Sequence, residues 1–175
     1  MMENTMSVSK RVVYTGLFLA LGVILPQLFH FLPIPEAGRI MLPMHIPAIL
    51  AGYFLGSKPG MLVGFLSPVL SSLMFGMPAV LIMPIMAVEL LVYGLAAGIL
   101  GKKIKNTYLS LILVMISGRI ASGLMYVIFI NILGITKLNM AMFIGSLSTG
   151  LPGIALQLVV IPPMIMLLRK VENGR

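Results

Sequence analysis

Five apolar stretches of the chain each carry a polar residue: His45, Ser71, Glu89, Arg119 and Gln157. Glu89 and Arg119 are the residues whose types most invite chemistry. An ionisable group within a hydrocarbon-soluble helix is costly, so it faces the interior of a bundle and is paired there or lines the path of a polar solute. The two lie on consecutive apolar segments and are expected to meet. Two roles fit such a pair: an ion pair that fixes the register of two helices, or a contact for a polar substrate. His45 stands between Pro43 and Pro47, and it either donates to a neighbouring carbonyl or joins the same polar set.

Other chemistry lacks its parts. There is no cysteine, so disulfides and thiolate metal sites are excluded. Two histidines and four acidic residues, none of them aspartate, leave little for a metal centre. The phosphate loop G-x-x-x-x-G-K-[ST] is missing, as are H-E-x-x-H and the G-x-S-x-G elbow. No catalytic residue, cofactor or metal is expected. The polar residues point instead to binding or permeation, with a stand-alone facilitator or channel as one form of it.

The elements that position these residues follow from composition. Of 175 residues 59% are hydrophobic and 9% charged, with a mean hydropathy of +1.12. Soluble domains carry roughly a quarter charged residues, and a lipid-facing surface needs far fewer. The pattern predicts an all-α integral membrane protein, a six-transmembrane-helix bundle in a single membrane domain over 1–175. The spans fall at about 11–30, 42–56, 60–75, 84–101, 107–133 and 143–168. The first is not a signal peptide, because no A-x-A-like site follows it. The second and third are short and proline-bearing. A re-entrant hairpin would bury Lys58 at its tip, at a cost of a few kcal/mol, so two short full spans are expected.

With six spans, nine basic residues fall on one side: Lys10, Arg11, Lys58, Lys102, Lys103, Lys105, Arg169, Lys170 and Arg175. Arg39 and Lys137 fall on the other. Positive charge gathers in cytoplasmic loops, so both termini are placed in the cytoplasm. This bias also accounts for the net charge of +8 without nucleic acid. Counted up from the cytoplasmic ends at about 1.5 Å per residue, the five polar residues share one layer roughly 16–18 Å above the inner face. Helical spacing gives that layer an interior face: Glu89 with Tyr93, Arg119 with Ser122, Gly123 and Tyr126, and Ser146, Gly150 and Gly153 with Gln157.

The stretches Leu42-Pro-Met-His-Ile-Pro-Ala-Ile-Leu-Ala-Gly52, Phe54-Leu-Gly-Ser-Lys-Pro-Gly60, Gly64-Phe-Leu-Ser-Pro-Val-Leu-Ser-Ser72 and Gly76-Met-Pro78 resemble the substrate-binding S components of energy-coupling factor (ECF) vitamin transporters. So do Glu89-Leu-Leu-Val-Tyr-Gly94 and Gly118-Arg-Ile120. The resemblance covers nearly the whole chain and is closest to the proposed pantothenate subfamily. It implies a multi-pass subunit of the bacterial cytoplasmic membrane, with a transmembrane coupling protein and two ATPase subunits as partners. ATP would then be handled outside this chain. It also implies that an A-x-x-x-A surface on the first helix docks on the coupling protein. Here that surface reads Gly16-x-x-x-Ala20, which departs from the pattern yet stays small. The vitamin site is implied near the outer side, on the last three helices and the outer loops. Its candidates are Arg119, Glu89, His45, Tyr93, Tyr126, Gln157, and Asn131 and Asn139 near the outer ends, capped by an outer loop over 35–41. A guanidinium suits a carboxylate, which favours pantothenate; pyridoxine and other small vitamins or precursors remain alternatives.

Overall fold

The computed structural model describes residues 6–30 and 37–173. Among them there are helices and no strands, in the order α1 Val8–His30, α2 Ala37–Met41, α3 His45–Leu55, α4 Ser57–Phe75, α5 Met83–Lys103, α6 Thr107–Val127, a π-helical turn Ile128–Ile132, α7 Met140–Thr149 and α8 Leu151–Asn173. Five stretches are long and apolar enough to cross a bilayer: Val8–Phe29, Gly38–Leu55, Ser57–Phe75, Met83–Lys103 and Thr107–Ile132. Counted as one span, the α7–α8 pair, bent by 45°, brings the number to six. The all-α membrane bundle expected from the sequence is the fold observed. Large apolar side chains such as Leu17, Ile24, Leu62, Ile120 and Val159 lie outside it, where lipid tails meet them at no hydrophobic cost.

The boundaries follow from local chemistry. A single residue, Gly56, joins α3 to α4 with φ 94° and ψ 178°, a region of backbone space that is essentially glycine's. Gly76 closes α4 in the left-handed region, its N–H donating to the Ser72 carbonyl at 2.9 Å. Asn106 and Asn139 cap α6 and α7, each side-chain oxygen accepting a first-turn N–H.

Two spans are broken, and proline accounts for both breaks. Pro43 lacks an N–H and pushes the residue before it out of the helical region. The chain responds at Leu42, which takes φ 50°, a left-handed conformation costly for a branched side chain. Pro152 cannot donate to the carbonyl of Ser148, so α7 ends at Thr149 and α8 sets off anew. The outer loop expected over 35–41 is helical from Ala37 to Met41. Positions 35 and 36 lie outside the described residues.

The tightest packing joins α3, α4 and α5. Glycines set it: a Cβ on Gly94 would collide with the backbone of Gly60, one on Gly60 with Gly52, and one on Gly64 with the backbone at Leu90. Close backbone approach of this kind is how helices gain contact in a bilayer. Gly94→Ala is therefore expected to cost at least about 1–3 kcal/mol through overpacking. A control lies at Gly145, where a Cβ meets nothing within 4 Å. Thermal unfolding in detergent should show a lowered midpoint for Gly94→Ala and an unchanged or raised one for Gly145→Ala.

Candidate functional site

The polar residues gather where the α3–α5 block meets α6. Glu89 on α5 is 5% exposed, and its Oε1 is the focus of the site. Arg119 Nη1 lies 3.0 Å from it, the Tyr93 hydroxyl donates to it over 3.1 Å, and His45 Nε2 stands 3.6 Å away. The last distance is electrostatic contact rather than a hydrogen bond. Ser122 is buried one turn beyond Arg119 on α6. Tyr93 reaches its place because Gly118 has no side chain; a Cβ there would run into the Tyr93 ring. The His45 and Tyr93 rings lie 5.4 Å apart and close the inner wall.

Both helix breaks arrive at this cluster. The left-handed Leu42 receives the His45 N–H at 3.1 Å and so starts α3 with His45 facing Glu89. A Cβ built on Gly150, at the α7–α8 break, would stand 3.1 Å from Leu42 Cδ1 and 3.3 Å from Arg119 Nη2. One turn on, Gly153 lies against the backbone of Ile40 and Met41. Discontinuous helices at bilayer depth are tolerated where their ends are buried in protein or line a cavity, and they mark substrate sites in membrane transporters. A groove of about 700 Å³ runs between α6 and the α7–α8 pair, and Arg119 is the one charged residue of its otherwise apolar lining.

The site holds unmatched donors: Arg119 Nε and Nη2 are buried without a hydrogen-bond partner. On α8, Gln157 Nε2 is likewise buried and unmatched. Glu89 already takes several donors. A buried donor left unmatched costs about 1–3 kcal/mol, so a molecule bearing acceptor oxygens gains by supplying them. Among the described residues no three histidines, cysteines or acids stand close enough to hold a metal ion.

The structure thus brings Glu89, Arg119, His45 and Tyr93 together. Gln157 is 1% exposed and lies one turn beyond Gly153 on α8. Tyr126 is buried beyond the cluster, its ring 5.5 Å from Phe143. Asn131 and Asn139 are exposed, and each is engaged with local backbone, Asn131 with the Val127 carbonyl and Asn139 as the α7 cap. They are not brought to the Glu89 cluster. Ser71 is turned away as well, donating to the Met77 carbonyl at 2.6 Å. Sequence reasoning missed Ser122, Gly150 and Leu42 as site residues. The first two sit on faces that helical spacing already marks.

On α1, Gly16 and Ala20 lie on the outer face. Both are exposed, and a Cβ on Gly16 meets nothing within 4 Å. At one end of the bundle Arg11 Nη2 donates to the Leu55 carbonyl at 2.8 Å, and Gly98 packs on Ser57. Arg11, Lys58 and Lys102 therefore share that end.

The fold is a multi-span membrane bundle that holds a buried ionic cluster among broken helices. Residues 10–165 match the family described as ECF transporter, substrate-specific component, and the chain belongs to that family. Neither a curated protein nor a solved structure matches it. Family membership makes the chain a substrate-binding membrane subunit of an ECF importer; the family's members are transporter subunits, not enzymes.

Proposed function

We propose that the chain captures a small carboxylate-bearing vitamin, pantothenate, at the Arg119 cluster and delivers it to a module of one transmembrane coupling protein and two ATPases. The observation that carries this reading is the Arg119 guanidinium, held by Glu89 on one nitrogen while Nε and Nη2 keep unmatched donors inside the protein. A planar five-donor cation matches a carboxylate better than it matches the pyridinol ring of pyridoxine. Gln157, His45 and Tyr93 supply further polar contacts around it; Tyr126, Asn131 and Asn139 lie toward the outer end, where the vitamin would arrive. Gly16 and Ala20 form the docking surface for the coupling protein. The basic end with Arg11, Lys58 and Lys102 faces the cytoplasm, together with both termini.

Equilibrium binding to the purified chain in nanodiscs tests the substrate. Pantothenate should bind saturably, and its alcohol analogue, which lacks only the carboxylate, should bind at least tenfold more weakly, a difference of about 1.4 kcal/mol. Pyridoxine should not compete. Equal binding of acid and alcohol would remove Arg119 as the recognition element.

A further inference from the structure

We infer that the substrate carboxylate docks side-on against the Nε–Nη2 edge of Arg119, in a notch that exists because residue 150 is glycine. This rests on the carboxylate reading above and assigns it to particular atoms. A guanidinium offers two-donor edges to a carboxylate, and the pair Nε–H and Nη2–H is one of them. Glu89 binds Nη1 at 3.0 Å, which leaves that pair unoccupied. Both of its nitrogens are buried and without a hydrogen-bond partner. Glu89 is therefore a positioning residue: it turns the guanidinium so that its unmatched edge faces the α7–α8 break.

Gly150 stands beside that edge. A methyl group there would lie 3.3 Å from Nη2, 3.1 Å from the end of the Leu42 side chain and 3.1 Å from the Ser146 carbonyl oxygen four residues back along the turn, in the space a carboxylate oxygen needs to reach Nη2. The backbone itself does not require glycine, since Gly150 has φ −81° and ψ −3°, which alanine adopts without strain. Leu42 meets the methyl with the tip of a flexible side chain, so it can give way. Alanine at this position should fold as well as the parent or better, since it restricts the unfolded chain, and still lose the ligand. Stability and affinity then move in opposite directions, which a purely structural glycine would not produce.

The test uses the full chain in nanodiscs with arginine side chains labelled, the Arg119 Nε–H resonance being assigned by its loss in Arg119→Lys. Pantothenate and butyrate, a bare aliphatic carboxylate, are the two probes. The expected result is a shift of the Arg119 Nε–H resonance on titration, with affinity lowered at least tenfold in Gly150→Ala while its unfolding midpoint is unchanged or raised. A response to butyrate but not to pantothenate would remove the pantothenate assignment and still support the docking edge. No response to either probe, or Gly150→Ala binding as the parent does, overturns the inference.

Discussion

Replacing Gly16 and Ala20 together by leucine should abolish vitamin uptake in cells while leaving ligand binding by the isolated chain within a few-fold of the parent. Lipid tails are as apolar as leucine, so two helices in a bilayer gain little from burying apolar surface against each other. They gain from close backbone contact, which small residues permit. Gly16 and Ala20 lie one turn apart on the exposed side of α1, and among the described residues nothing comes within 4 Å of a Cβ built on Gly16. Two leucines there displace no residue of the bundle, so folding should survive. The site is reached through α3, α5, α6 and α8, not through this face of α1. Copurification with the coupling subunit should be lost along with uptake. Uptake that persists in the double variant would move the docking surface elsewhere.

The second large effect is expected at Arg119. Arg119→Ala should lower pantothenate affinity by at least tenfold and also destabilise the bundle, because it leaves Glu89 buried without its cation. Breaking a buried ion pair from one side costs about 3–5 kcal/mol. Loss of binding could therefore follow from loss of structure, and a second variant separates the two. Arg119→Met with Glu89→Gln removes both charges at similar volume, and such replacements are often neutral for stability. The amide oxygen that Glu89→Gln introduces can still accept from Tyr93. The double variant should unfold near the parent midpoint and still fail to bind pantothenate. A stable double variant with undiminished affinity would make the pair a register-fixing element and nothing more.

Some of this was legible before any coordinates. A glutamate and an arginine embedded in apolar stretches on consecutive spans have few places to go but toward each other, and Tyr93 follows Glu89 by one helical turn. Counting residues from the membrane face gave height, and height alone could not give direction. Ser71 shares the layer with Glu89, yet its hydroxyl turns to Met77. Asn131 and Asn139 had plausible heights for pocket donors, but short polar side chains beside helix ends are taken up by the backbone, and both are. The bend between α7 and α8 escaped notice because hydropathy runs through Gly150 and Pro152 without interruption. Pro152 was the available signal, a residue that ends the hydrogen-bond ladder whatever its hydropathy. Likewise α2 has five residues, too few for a 3.6-residue period to register.

Reconstitution in liposomes tests the central claim, capture by this chain and transport by its partners, most directly. The purified chain is inserted alone, or with the coupling protein and two ATPases, and labelled pantothenate is supplied outside. The account predicts saturable binding but no accumulation by the chain alone, and ATP-dependent accumulation once the module is present. Accumulation or equilibration of pantothenate through liposomes that hold the chain alone, with no ATPase present, would contradict it and make the chain a facilitator in its own right.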